Sequence, residues 1–211
     1  MKVVEIFNSI EGEGIRAGFP ATFIRLYGCN LRCSYCDTPY GYEGNDYTEM
    51  TAEEIVEKVE GFRCSKITLT GGEPLIHPGV FELLLDLTNK GYEVNIETNG
   101  SINVEPYTFS DIIITMDYKC PSSGQEDKML LDNIDYLRPT DVIKFVVGTK
   151  EDLDVCYKLS AETKAQVFIS PVFGKITPEE IVNYMLEHHM NNCRVQVQLH
   201  KIIWNPNKRG V

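Results

Sequence analysis

The chain has 211 residues, 43% hydrophobic and 24% charged, the balance of a folded domain rather than of a disordered, collagenous or coiled-coil chain. Twenty basic against thirty-one acidic residues leave a formal charge of −11, which repels phosphate backbones and argues against direct nucleic-acid binding. No uncharged apolar run approaches the ~18 residues of a membrane span, and Glu5, Glu11 and Glu13 interrupt any signal-like stretch after Lys2, so the expected compartment is the cytoplasm.

Short β-rich runs alternate with amphipathic stretches, with no repeat or linker between them. The runs predict strands over Val3–Phe7, Ala21–Tyr27, Lys66–Thr70, Tyr92–Glu97, Asp111–Asp117, Val142–Val147, Gln166–Ser170 and Arg194–Leu199. Most are continuous β-branched or aromatic runs, as in strands of a parallel sheet buried on both faces. Thr51-Ala-Glu-Glu54 is a capping box ahead of Ile55, Val56 and Val59. Pro78 suits the first turn of a helix running to about Asn89, stopped by Gly91. Thr149 with Asp152, and Thr177-Pro-Glu-Glu180, open two more helices. The crossovers Thr98–Ser110 and Tyr118–Asp141 are poor in helix, apart from a short one near Met129–Asp135.

This alternation is α/β. A complete eight-stranded barrel takes about 250 residues, so the expectation is one domain over 1–211, an open partial barrel of about six parallel strands. Gly28-Cys29, Gly71-Gly-Glu-Pro74, Thr98-Asn-Gly100, Lys119-Cys-Pro-Ser122 and Pro171 all follow the C-terminal end of a predicted strand. Barrel enzymes build their sites at that rim.

Seven cysteines do not make a complete disulfide framework. Cys29, Cys33 and Cys36 form a C-x3-C-x2-C cluster, while Cys64, Cys120, Cys156 and Cys193 are scattered and read as free thiols. Structural zinc wants four ligands, and no His lies near these three. Thiolates at tight spacing hold iron–sulfur clusters, and three of them on four irons leave one iron open for a chelating ligand.

The spacing, with aromatic Tyr35 before the last cysteine, resembles the radical S-adenosylmethionine (SAM) superfamily. Thr70-Gly-Gly-Glu-Pro74 resembles its GGEP segment, and Glu97-Thr-Asn-Gly100 its ribose-side motif. More narrowly, Phe7-Asn-Ser-Ile-Glu-Gly-Glu-Gly14, the run from Phe23 to Leu31, Cys36-Asp-Thr38, Lys119-Cys-Pro-Ser-Ser-Gly124 and the tail Gln196-Val-Gln-Leu-His-Lys201 are similar to the 7-carboxy-7-deazaguanine synthase family, nearly end to end. Glu11 departs from the glutamine expected there.

The resemblance implies a radical ring contraction of 6-carboxy-5,6,7,8-tetrahydropterin to 7-carboxy-7-deazaguanine with loss of ammonia, on the way to queuosine. It implies a 4Fe–4S cluster on Cys29, Cys33 and Cys36, SAM, and Mg²⁺ on Thr38. Substrate contacts would come from Ile10, Glu11, Gly12, Glu13, Arg25, Thr70 and His200, with His200 ending the last strand. Tyr35, Gly72, Glu73, Asp117, Tyr118, Lys119 and Ser170 would line the SAM site. Residue chemistry agrees in part: carboxylates accept from the N–H donors of a pterin edge, an Arg in an apolar strand wants an anion, and hydroxyls suit a hard cation. Ordinary roles compete: a solvated acidic loop for Glu11 and Glu13, an ion pair for Arg25, a turn at Thr38, a strand-end salt bridge for Asp117 and Lys119. The family also implies a homodimer, a flavodoxin- or ferredoxin-type electron donor, and a tail Asn205–Val211 near the substrate. Competing readings are a radical SAM activase acting on a partner protein and a non-catalytic iron–sulfur electron carrier.

Overall fold

In the computed structural model, residues 1–109, 111–205 and 208–211 are described; Ser110, which ends a predicted crossover, and positions 206 and 207 of the predicted tail lie outside them. One nine-stranded sheet carries the chain, in the order β3-β1-β2-β4-β5-β6-β7-β8-β9. Its strands are β1 (Lys2–Ile10), β2 (Pro20–Leu26), β3 (Thr48–Glu49), β4 (Lys66–Gly71), β5 (Glu93–Thr98), β6 (Ile112–Tyr118), β7 (Val142–Val147), β8 (Gln166–Pro171) and β9 (Cys193–Val195). From β2 through β9, β3 apart, all neighbours are parallel. β1 runs antiparallel to both β2 and β3. The sheet is therefore an open barrel of seven parallel strands, one more than expected, with an antiparallel flap.

The helices are α1 (Ala52–Glu60), α2 (Val80–Asn89), α3 (Asn133–Tyr136), α4 (Lys150–Ser160), α5 (Pro178–Glu187) and α6 (Leu199–Ile203). Reciprocal capping boxes close the starts of α1, α4 and α5, at Thr51, Thr149 and Thr177. Two expectations are corrected. Pro78 lies before α2, because Gly79 caps that helix in a left-handed conformation with φ 86°. The last predicted strand stops at Val195. There the Gln196 side chain accepts from Gly14 N and donates to Gly14 O, and the chain turns into α6, which carries His200.

Strand register divides the sheet into two chemically different faces. Ile24, Leu69, Ile96, Ile114, Ile143, Phe145, Val167 and Ile169 belong to one buried apolar cluster, with Ile55, Leu83, Leu87, Leu153 and Ile181 of the helices. The opposite, concave face carries Arg25 beside Thr70, Asn95 beside Thr68, Glu97 beside Thr115, and Asp117 beside Lys144. A period of two in each strand sorts the side chains this way.

At the strand starts Asp141 is fully buried. It accepts from Ile114 N (2.9 Å) and from the backbone and guanidinium of Arg138 (2.8 Å each). Arg138 in turn donates to the carbonyls of Thr108, Phe109 and Ile112. Removing one partner of such a pair strands the other and its donors. Asp141→Ala is expected to cost about 3 kcal/mol, lowering the thermal unfolding midpoint by roughly 6–12 °C in a domain of this size; calorimetry checks this.

Candidate active site

The cysteine loop follows β2 at the C-terminal rim. Glycines let it pack there. Gly71 (φ 153°) and Gly72 pass so close to the end of β2 that a Cβ on Gly71 would stand 2.2 Å from Leu26 O, and one on Gly72 2.2 Å from Gly28 O and 2.6 Å from Cys29 Cβ. Only a bare backbone fits. Glu73 N then donates to Gly28 O (2.9 Å) and Gly28 N to Gly41 O (2.6 Å). The loop's other side docks on the turn after β6, where Ser34 N donates to Ser123 O and Ser34 Oγ to Ser122 O. Asp152 holds that turn through Ser122 N and Oγ.

Cys29 and Cys33 are half-buried and Cys36 is exposed. Burial pushes the Cys29 and Cys33 thiols up, while the Lys119 ammonium opposes it. Leu31 N (3.4 Å) and Asn99 Nδ2 (3.8 Å) point donors at Cys29 Sγ. Among the described residues, no three His, Cys, Asp or Glu side chains gather around a point suited to one metal ion. The donor set of the three loop thiols, with N–H groups directed at one sulfur, suits a thiolate-bound iron–sulfur cluster.

Glu73 lies beneath this loop, fully buried. Its carboxylate accepts from Leu75 N (3.0 Å), Thr98 Oγ1 (2.9 Å) and Asn99 N (2.6 Å). Burial raises its pKa to about 7 against these donors. It thus ties the turn after β4 to the turn after β5. Asn99 extends the tie by donating to Asn30 Oδ1 (3.0 Å).

The segment after β1 folds into the barrel. Glu11 is 1% exposed and its carboxylate takes Arg16 Nη2 at 2.5 Å together with the Thr68 hydroxyl. Arg16 also donates to Ile67 O and Glu93 O. The Glu11 side chain is thus engaged in an internal ion pair. Glu13 differs. It accepts from Lys144 Nζ (3.1 Å) and Ser170 Oγ (3.0 Å) on the concave face. Burial opposes its ionisation, yet Lys144 holds its carboxyl below the usual range. Gly12 O accepts from Leu199 N, and a Cβ on Gly12 would stand 2.2 Å from His200 Nδ1. Burial lowers the His200 pKa, so its ring is neutral near pH 7. Ile10 ends β1 just before this segment.

Arg25 Nε donates to Glu5 Oε1 (2.8 Å), so the competing ion pair exists. Thr70 Oγ1 donates to Glu97 Oε2 at 3.4 Å. Thr38 Oγ1 donates to Asp37 Oδ1 (3.1 Å), and Asp37 pairs with Lys201 Nζ of α6 (2.8 Å). Burial works against that carboxylate, but the ammonium wins and brings its pKa down to about 2. Tyr35 donates to Val146 O (3.2 Å). The Asp117–Lys119 salt bridge is present at 3.1 Å. The Tyr118 side chain packs on Phe145 in the apolar cluster, which leaves its backbone for the rim. Sequence reasoning missed Lys144 and Arg16. Lys144 carries a legible signal, a lone charge inside the apolar run Val142–Val147.

A family model described as the radical SAM superfamily matches residues 23–107. A 7-carboxy-7-deazaguanine synthase of Clostridium acetobutylicum is 46% identical over all of this chain and 99% of its own. One from Methanospirillum hungatei is 44% identical over 98% of this chain and 86% of its own. Among solved structures, QueE from Escherichia coli matches with a TM-score of 0.75 at 24% identity, covering 93% of each chain; Streptococcus suis SuiB bound to S-adenosylmethionine matches at 0.61 and 15%, covering 82% of this chain and 48% of its own. The two structures agree in fold, and the two sequence relatives cover the chain from rim motifs to tail: it belongs to the 7-carboxy-7-deazaguanine synthase family of the radical SAM superfamily.

Proposed function

We propose that the chain converts 6-carboxy-5,6,7,8-tetrahydropterin to 7-carboxy-7-deazaguanine with loss of ammonia, as a carbon–nitrogen lyase. The observation that carries this reading is the meeting, at one rim, of a three-thiol loop, a bare Gly72 backbone and a concave face lined with Glu13, Lys144 and His200. A 4Fe–4S cluster with SAM supplies hydrogen-atom abstraction from carbon. Cys29, Cys33 and Cys36 hold the cluster in this proposal. Gly72 leaves room for the methionyl end of SAM, and ionised Glu73 places negative charge near its ammonium. Asp117, Lys119, Ser170, Tyr35 and the Tyr118 backbone bound the rest of the SAM site.

On the substrate side, Glu13 and the backbone of residues 10–12 accept from the aminopyrimidinone edge of the pterin. Neutral His200 covers Gly12, and Thr70 stands beside Arg25 on the concave face. Arg25 keeps guanidinium donors beyond the one given to Glu5 and suits the substrate carboxylate. Thr38 would offer its hydroxyl to Mg²⁺, a hard cation that takes oxygen ligands and would neutralise the charge of that carboxylate. Exposed Cys36 marks the side on which a flavodoxin- or ferredoxin-type donor approaches. The exposed Ile202 and Ile203 of α6, near the β9 edge, suit a homodimer contact.

The deciding experiment is anaerobic turnover of iron- and sulfide-reconstituted protein with reductant, SAM, Mg²⁺ and the pterin, read by mass spectrometry. 7-Carboxy-7-deazaguanine is the expected product. Release of 5′-deoxyadenosine without it overturns the substrate assignment and returns the activase reading. In the same assay Thr38→Ala is expected to lose its Mg²⁺ stimulation; an unchanged Mg²⁺ response removes that ligand. Glu73 adds a pH prediction. Its carboxyl titrates near pH 7 because it is buried. A bound ammonium favours the ionised form, so SAM affinity rises as pH climbs through about 7. Equilibrium binding between pH 6 and 8.5 checks this, and Glu73→Gln is expected to flatten the profile.

A further inference from the structure

The concave face holds a buried cation to which the functional reading above gives no role of its own. Lys144 sits in the middle of β7, and its side chain is 6% exposed. Its Nζ lies 3.1 Å from Glu13 Oε2 and 3.4 Å from Asp117 Oδ2. Glu13 belongs to the segment after β1 that forms the substrate side; Asp117 ends β6 on the SAM side. The two carboxylates are thus held on one ammonium. Glu97 adds a third negative charge close by.

We infer that Lys144 is a positioning residue: from between Glu13 and Asp117 it fixes the Glu13 carboxylate and keeps it ionised on the substrate side of the site. The inference rests on the proposed pterin reading for the identity of the substrate, and on the geometry alone for the positioning.

Three observations support it. Burying an unpaired carboxylate is costly, so Glu13 stays ionised at this depth only beside a cation. Among the described residues Lys144 is the one cation hydrogen-bonded to Glu13, whose other partners are the Ser170 hydroxyl and the Gln198 side chain. Second, the pairing is asymmetric. Asp117 keeps a separate salt bridge to Lys119 at 3.1 Å, whereas Glu13 has no second ion pair among the described residues. Third, Asp117 Oδ1 is buried without a hydrogen-bond partner, which leaves one acceptor facing no donor while its other oxygen is fixed by two ammonium groups.

The groups that bear on Glu13 are Lys144 from β7, Ser170 from β8, and Gln198 and His200 from the tail. Those that bear on Lys144 are Glu13, Asp117 of β6 and Glu97 of β5. His200 is neutral near pH 7 and supplies no substitute charge. Without the ammonium, Glu13 takes up a proton, and the carboxylate that would accept from the pterin edge becomes half donor.

The test is equilibrium binding of 6-carboxytetrahydropterin and, separately, of SAM to the reconstituted holoenzyme between pH 6.5 and 8.5. Lys144→Met is expected to bind the pterin about tenfold more weakly at pH 6.5, the loss that follows when a carboxyl ionised in the wild type is about nine-tenths protonated at that pH, and to recover toward pH 8.5. SAM affinity is expected to change less than about threefold, because Lys119 still pairs Asp117. Lys144→Arg, which keeps the charge, is expected to restore the flat profile. A pH-independent loss, or an equal loss in Lys144→Arg, overturns the inference. If Lys144→Met does not fold, the Glu13→Gln, Lys144→Met pair removes both charges and is expected to bind no worse than Glu13→Gln alone; additive losses overturn it. Carboxyl ¹³C NMR of Glu13 reads its titration without any ligand. Failure of the wild-type enzyme to bind the pterin therefore counts against the substrate reading, and an unshifted Glu13 titration in Lys144→Met counts against the positioning role.

Discussion

Everything at the rim depends on how closely two backbone segments approach each other. The chain leaving β4 runs against the end of β2 with no side chain between them, and Gly72 touches the cysteine that begins the loop. That contact sets the height of the thiols above the sheet. It also brings Glu73 under the loop, where three donors from two turns converge on one carboxylate. A glycine pair here is a packing requirement in the first place, and a ligand requirement only because the packing leaves an open backbone beside the thiols. Conformational freedom and close approach are separate uses of glycine, and Gly71 with Gly72 serves both.

The second constraint is charge. A sheet whose convex face is an apolar cluster and whose concave face is polar places ionised groups deep in the molecule, and each needs a partner. The structure answers with short local circuits: Glu11 with Arg16, Glu13 with Lys144, Asp117 with Lys119, Glu5 with Arg25. Glu11–Arg16 is the deepest and closes the floor against Thr68. A glutamate there is matched to Arg16, which accounts for the charged residue where the family resemblance leads one to expect an amide. The net charge of −11 is thus a surface property and says little about the interior of the site.

The parts of the molecule that were legible in the sequence are those fixed by nearby residues. The capping boxes at Thr51, Thr149 and Thr177 were read correctly because donor and acceptor lie three residues apart. The apolar strands β6 and β7 were equally plain. The end of the last strand was not. Gln196-Val-Gln-Leu199 alternates like a strand, but Gln196 is claimed by Gly14, 182 positions away. The two-residue β3 has no pattern to read. Within the site, the cysteines, Gly72 and Glu73 announced themselves by spacing. Lys144 did not, because its meaning comes from Glu13, 131 positions earlier. The Glu11–Arg16 pair was hidden for the same reason: the acidic, glycine-flanked loop reads as a ligand segment and gives no sign that Arg16 and Thr68 surround the Glu11 side chain.

The meeting of the chain's two ends has a consequence for the order in which the enzyme is made. The thiols and the glycine backbone that seats them, from Gly28 to Glu73, fall within the first 73 residues, and the turn on which the loop docks, Ser122 and Ser123 with Asp152, within the first 152. The floor beneath the substrate needs the other extreme: Leu199 donates to Gly12, Gln196 brackets Gly14 and Lys201 reaches Asp37. During synthesis the metal-binding loop has its packing partners long before the last turn of the chain emerges. Closing so wide a loop is slow relative to local packing. A nascent or C-terminally truncated chain would therefore have the means to seat its thiols while lacking a finished substrate floor, so that metal content alone is a poor gauge of how much of a preparation is competent.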